Sequence, residues 1–207
     1  MKSYKIHLIR HGITEANEKG LYIGRTDLPL SPAGLAALLQ MKNRGGYPSA
    51  ARYYTSPLTR CRQTLEVLYP GCRPILADGL SECDFGRWDG KSVTSLQQDA
   101  DFRDWIAGKR QEIPEGEDAA SFQRRVTKAF EEVVNSLMHT GETEAVICTS
   151  GGVIMMIMAA YALPRAQMHE WAADSGCGYT LRITPSLWMR EPVAEAVAVI
   201  PAVKEEA

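Results

Sequence analysis

No stretch of this sequence is long and apolar enough to cross a bilayer. A spanning helix needs about 20 predominantly apolar residues, and the most apolar run, Val153–Ala162, falls well short of that. The N-terminal MKSYKIHLIRHG lacks the apolar core and small-residue cleavage site of a secretory signal, and it runs straight into a strand-like segment. Cysteine is sparse and unpatterned. The five (Cys61, Cys72, Cys83, Cys148, Cys177) form no C-x-x-C pair and no Cys/His set at zinc spacing. An odd number without framework spacing reads as reduced thiols packed as small core residues in a cytoplasmic protein. Charge of one sign is not in excess either. A formal net charge of -2 gives no overall attraction to nucleic acid or to an anionic membrane surface. Affinity for an anion has to come from a local cluster of cations.

What is present is the balance of a globular chain: 207 residues, 45% hydrophobic and 23% charged. That suits one domain over residues 1–207, without repeats, low-complexity tracts or flexible linkers. Three segments share a pattern of β-rich run, polar turn and helix start. Tyr4–Ile9 leads into Arg10-His11-Gly12, Ala51–Thr55 into Ser56-Pro57, and Glu144–Thr149 into Ser150-Gly151-Gly152 and an apolar helix over Val153–Leu163. Short apolar runs followed by helices predict buried strands of a mostly parallel sheet. Ser56 and Pro57 read as the cap and first position of the second of these helices. A further helix opens at Ser31-Pro32 and runs to about Arg44. Another covers Asp118–Met138, with Phe122, Val126, Phe130, Val133 and Leu137 at helical spacing. Late strands are expected at Tyr179–Ile183 and Ala196–Ile200, an insertion over one end of the sheet at Phe85–Glu117, and a frayed end at Lys204–Glu206.

In open α/β sheets ligands sit outside the C-terminal strand ends, near helix N-termini. Those ends here carry Arg10-His11-Gly12, Ser56–Arg60 and Ser150-Gly151-Gly152. Arginines beside free N–H donors and positive helix dipole ends favour an anion, phosphate above others. Thr14 and Asn17 follow His11 and have hydrogen-bonding side chains. Tyr22-Ile23-Gly24-Arg25 offers another turn with a cation, and Arg60, in a first helical turn, is the second phosphate ligand.

LIRHGITEAN, LYIGRTDLPLSPAG, YTSPLTRCRQT, LSECDFGRWDG and PEGEDAASFQRRV resemble, in order, the signature segments of the histidine phosphatase superfamily. They cover most of the chain from Ile6 to about Tyr161. The resemblance implies the phosphoglycerate-mutase-like fold, a three-layer α/β sandwich with a mostly parallel sheet flanked by helices. It also implies a phosphomonoesterase for a small phosphorylated metabolite. His11 would carry a phosphohistidine, Arg10, Arg60 and Asn17 would hold phosphoryl oxygens, and Glu82 would protonate the leaving oxygen. Thr14, Ile23, Gly24 and Arg25 would be possible contacts to the substrate. It implies no metal, no cofactor and no nucleic-acid or membrane partner, and leaves oligomeric state open.

One position departs from the family's pattern. A second histidine, followed by glycines, usually ends the strand before the apolar helix; here Ser150 stands there, followed by Gly151 and Gly152. Ser150 and Gly151 remain candidate phosphate donors, and the expected consequence is reduced efficiency. The alternative is a catalytically impaired phosphate-binding or regulatory protein on the same fold. A serine on a strand-to-helix turn also invites comparison with the nucleophile elbow of α/β hydrolases. Cys148 stands where that motif needs glycine, and His169 precedes Asp174, so the chain order fails as well. Other residues read as structural. His7 belongs in a packed strand, Arg62 and the pair Arg124 and Arg125 in solvent, and His139 at a helix end that favours a cation. For Trp88, Trp105 and Trp171, packing is expected rather than a place in the pocket.

Overall fold

The computed structural model describes residues 2–202; the expected frayed end at Lys204–Glu206 lies outside them. One seven-stranded sheet organises the chain, in the order β3-β2-β4-β1-β6-β7-β5. Its strands are β1 (Tyr4–Arg10), β2 (Arg52–Thr55), β3 (Ile75–Leu76), β4 (Glu144–Thr149), β5 (Ala162–Leu163), β6 (Gly178–Ile183) and β7 (Ala194–Ile200). The pairs β1/β4, β2/β4, β2/β3 and β5/β7 are parallel, whereas β6 runs antiparallel to both β1 and β7.

Alternation along the central strands explains the two covered faces, since successive side chains of a strand point to opposite sides. Ile6 and Leu8 of β1 and Ala145 and Ile147 of β4 join one core cluster. Ile9, Val146 and Cys148 join the other. The first face is packed by α6 (Ala119–Thr140) and α7 (Gly151–Tyr161), the second by α2 (Pro32–Arg44) and α3 (Thr59–Leu68). α6 buries Phe122, Val126, Phe130, Val133 and Leu137, the predicted stripe, together with Ala129 and Val134. Asp118 caps its first turn by accepting the Ser121 N–H at 2.8 Å. Gly141, at φ 76°, ends it in the left-handed conformation that glycine adopts without a Cβ clash.

The segment 85–117 carries short helices, α4 (Val93–Leu96) and α5 (Ala100–Ile106). Trp88, Leu96, Phe102 and Ile113 of this segment are buried in the same cluster as α6 and α7. The four-residue helices α1 (Glu15–Glu18) and α8 (Pro185–Trp188) complete the set.

Several boundaries differ from expectation by one or more residues, those of α3, α7 and β7 among them. α3 begins at Thr59, with Leu58 rather than Ser56 at its cap position. The Ser56 N–H still bonds the Cys148 carbonyl of the sheet, and Asp27 supplies the missing cap by accepting from the Thr59 N–H at 2.7 Å and its hydroxyl at 2.8 Å. α7 stops at Tyr161 because Ala162 and Leu163 leave to pair with β7. β7 starts at Ala194, two residues earlier than the sequence pattern marks.

Phe130 is fully buried and sits 5.1 Å from the Tyr161 ring and 6.0 Å from the Trp188 ring, centroid to centroid. Phe130→Ala should cost about 3–5 kcal/mol, read as a lowered urea midpoint with an unchanged slope. A loss below about 1 kcal/mol would mean that α6 is not anchored through this ring.

Candidate active site

Adjacent parallel strands bring their C-terminal ends to one edge, and β2, β4 and β1 lie side by side there. The His11 N–H continues the ladder by bonding the Thr149 carbonyl at 2.9 Å, and the Gly12 N–H bonds the Thr64 hydroxyl of α3 at 2.9 Å. His11 is thereby fixed between two strand ends and the middle of α3, and only 5% of it is exposed. Its Nδ1 lies 2.7 Å from the Gly12 carbonyl. A carbonyl only accepts, so Nδ1 carries the proton and Nε2 is left with a free lone pair. Burial, then the charges of Arg60 and Arg10, push the His11 pKa down to about 3, against the opposing pull of the Gly12 carbonyl. The imidazole is neutral at any ordinary pH.

Two guanidiniums flank it. Arg60 is 1% exposed and donates to the carbonyls of Thr26 (2.9 Å) and Gly24 (2.7 Å). Arg10 donates through Nη1 to the Ala173 carbonyl at 2.7 Å, while its Nε is buried without a partner. Among the described residues neither is ion-paired with a carboxylate. Arg60 is a buried cation and Arg10 a half-buried one, and charges so placed without a counter-ion are costly, a cost that an anion would offset.

Glu82 lies on the other side, 7% exposed. Its carboxyl accepts the Cys83 N–H at 2.8 Å and the Gly152 N–H, in the first turn of α7, at 3.0 Å. Burial raises its pKa, against the two N–H bonds and the two arginines, which favour the ionised form. Desolvation wins, the condition under which a carboxyl keeps a proton to donate. Gly152 is what lets it sit there, because a Cβ at that position would lie 2.4 Å from Oε1 of Glu82.

His11, Arg10, Asn17, Ile23, Glu82 and Gly151 line one cavity of about 360 Å³. Asn17 accepts from the Thr14 N–H and hydroxyl through Oδ1, which turns its amide nitrogen into the free donor. Thr14 is 1% exposed and caps α1. Gly24 holds Arg60 through its carbonyl, and Arg25 meets Glu117 at 3.8 Å; Thr14, Gly24, Arg25, Arg60 and Ser150 do not line the cavity, and Arg60 lies buried behind it within reach of His11 by its charge alone. Ser150 occupies the cap position of α7 without making a cap bond, and its hydroxyl is buried without a partner. Among the described residues no three His, Cys, Asp or Glu side chains are grouped as a metal ion would require.

Sequence reasoning missed Arg125. Expected in solvent, it donates to Glu117 through Nε and Nη2 at 2.7 Å each, and to the carbonyls of Gly79, Ser81 and Glu82 at 3.0, 2.6 and 2.9 Å. It pins the loop that carries Glu82. The only signal in the sequence was the proximity of Glu117 to the helix start, which does not say where the guanidinium points. Trp105 was missed too: it lines the cavity, whereas Trp88 is core.

A mostly parallel sheet whose strand ends gather two arginines without a carboxylate partner around a neutral imidazole defines an α/β protein with a cationic site at one edge of the sheet. The comparisons name the class more closely. A profile of the histidine phosphatase superfamily (branch 1) matches residues 6–192, and the chain belongs to that superfamily. The adenosylcobalamin/alpha-ribazole phosphatase of Salmonella typhimurium is 27% identical over 185 residues, 84% of this chain and 87% of that protein. The alpha-ribazole phosphatase of Shigella flexneri superposes with a TM-score of 0.80 over 98% of this chain and 100% of that one; at 22% identity this likeness shows the fold alone. TTHB049 from Thermus thermophilus superposes at 0.70, 26% identical, over 94% of this chain and 98% of that one.

Gly152→Ala should push the Glu82 carboxyl off the helix start. Turnover of an alkyl phosphate is expected to fall about 100-fold, the contribution of a general acid, with inhibition by inorganic phosphate nearly unchanged. An unaltered kcat would remove Glu82 from that role.

Proposed function

We propose that this chain is a metal-independent phosphomonoesterase that works through a phosphohistidine at His11, with efficiency reduced by Ser150. One observation carries the reading: a neutral His11, its Nε2 free, beside one buried and one half-buried guanidinium with no carboxylate counter-ion. Phosphoryl transfer asks mainly for positioning and for cations on the equatorial oxygens.

On this reading Arg10 and Arg60 hold a dianionic phosphoryl group, with the Asn17 amide as a further donor. His11 Nε2 attacks phosphorus as the P–O bond breaks, and the Glu82 proton passes to the leaving alcohol oxygen. Glu82, now ionised, takes a proton from water. That water attacks the phosphohistidine, the P–N bond breaks, and phosphate leaves. The carboxyl is protonated and the imidazole neutral again at the end, so the cycle closes.

Ser150 stands where the family's pattern puts a second histidine. Its unpartnered hydroxyl and the Gly151 N–H at the start of α7 are the donors left at that strand end. Loss of one preorganised donor costs roughly 100- to 1000-fold in rate, small against accelerations that reach ~10²¹-fold for phosphate monoesters. The same substitution favours the second reading, a phosphate-binding protein without turnover.

Phosphate release from an aryl phosphate without added metal separates the two. Wild-type turnover that vanishes in His11→Ala, and rises about 100-fold in Ser150→His, is expected; no turnover above the His11→Ala level in protein that binds phosphate leaves the binding reading. The pH profile gives a second check. Glu82 must be protonated, so kcat/KM expressed per substrate dianion, whose second pKa lies at about 6, should hold at low pH and fall as pH rises through the raised pKa of Glu82. His11 should contribute no acid limb until pH nears 3. Glu82→Gln should abolish the alkaline limb.

A further inference from the structure

Resting on the phosphatase reading, we propose that the cavity selects monoesters of an uncharged, largely apolar alcohol of aromatic-ring size, and disfavours alcohols carrying a carboxylate or a second phosphate.

The cavity's polar groups are concentrated in the cluster of Arg10, His11, Asn17 and Glu82, and most of the rest of its lining is apolar. One apolar wall is aromatic, formed by Tyr22, Phe85 and Trp105. It is held rigid by edge-to-face and tilted ring contacts: Tyr22 lies 5.0 Å from Phe85, and Trp105 lies 6.1 Å from Phe85, 5.5 Å from Trp88 and 5.9 Å from Phe102. Another part is built from the thioethers of Met155, Met156 and Met168, flexible groups that follow the shape of an apolar partner and favour aromatic faces. A volume of about 360 Å³ leaves room for a ring system beyond a phosphoryl group.

Charge decides what the wall rejects. Among the described residues lining the cavity, Arg10 is the one lysine or arginine, and it belongs to the phosphate cluster. Glu117 is the one carboxylate there besides Glu82, and it is already held by Arg125 and faced by Arg25. A second anion on the alcohol would therefore lose its water beside Glu117 and thioether groups, with no cation of the cavity lining outside the phosphate cluster to receive it and with Arg25 and Arg125 already engaged by Glu117. Desolvating an unpaired charge is strongly unfavourable. A cationic alcohol fares no better, because the Glu117 carboxylate is engaged. An apolar ring instead gains the burial of its own surface and edge contacts to Trp105.

The test measures binding and turnover separately. Benzylphosphonate, methylphosphonate and 3-phosphonopropionate, which do not hydrolyse, are titrated into the full chain by calorimetry. Benzylphosphonate is expected to bind at least about tenfold more tightly than either of the others. Trp105→Ala should remove that advantage while leaving methylphosphonate within about twofold of wild type; Met156→Gln, which keeps length and helix propensity, should reduce it by about threefold should the tryptophan variant fail to fold. Equal affinities, tighter binding of the carboxylate, or no binding of any of the three overturns the proposal. In parallel, kcat/KM is compared for 1-naphthyl phosphate and 3-phosphoglycerate, with the naphthyl ester expected to be preferred at least about tenfold. Turnover of neither, with the affinity order intact, overturns the phosphatase reading and upholds the selectivity; turnover with the order reversed does the opposite.

Discussion

Arg10 and Arg60 set the terms for everything around them, since a guanidinium taken out of water loses several kcal/mol of solvation unless something replaces it. Here the replacement is backbone carbonyl, not carboxylate. The 24–26 turn faces Arg60 with two carbonyls, and the 172–177 loop faces Arg10 with that of Ala173. These partial negative charges orient the fork without neutralising it, so the positive field stays in the pocket. Burial holds His11 neutral with help from the same field, which also limits how far burial can raise Glu82. Replacing either carbonyl set by a carboxylate would satisfy the arginines and end their affinity for an anion.

Such a field is useful only if its sources stay put, and the sheet supplies the rigidity. β1, β2 and β4 are adjacent and parallel, so Arg10, Ser56 and Ser150 all follow strand ends at one edge. Backbone bonds run across those ends from His11 to Thr149 and from Ser56 to Cys148, which extends the ladder into the site itself. Glu82 has no strand to hold it. Its loop is fixed from α6 by Arg125 and from α7 by the Gly152 N–H, two helices on the same face of the sheet. The acid is therefore tied to the face of the sheet opposite α3, which carries Arg60.

These differences in attachment account for how far the sequence could be read. Strand ends are announced locally: an apolar run, a polar turn and a helix start identify Arg10, His11, Arg60 and Ser150 as neighbours without any structure. Period-3.6 burial along α6 was equally plain. The pairing of Arg125 with the Glu82 loop spans a separation of more than forty residues and has no periodic signature. The Asp27 cap of Thr59 is of the same kind, a carboxylate arriving from another loop to displace the local serine. Trp88 and Trp105 lie in one segment of similar composition, and only packing sends the first into the core and the second to the cavity wall. Local signals were legible; contacts made between distant segments were not.

The charge balance of the pocket bears on what Ser150 changes under the proposed function. With His11 neutral and burial raising the pKa of Glu82 so that the proposed cycle starts from its acid form, the two arginines supply two positive charges, which match a phosphate dianion. A protonated histidine at position 150 would add a third. In the ground state that extra charge is surplus, so its absence leaves binding of the dianion largely intact. As phosphorus passes between oxygen and nitrogen, charge spreads over the three equatorial oxygens, and each needs its own donor. The arginines and Asn17 answer for some of that demand. Ser150 offers a dipole where an imidazolium would offer a full charge, and the deficit is felt in the transition state alone. Under the proposed function, a pocket of this composition would keep its ligand and lose rate.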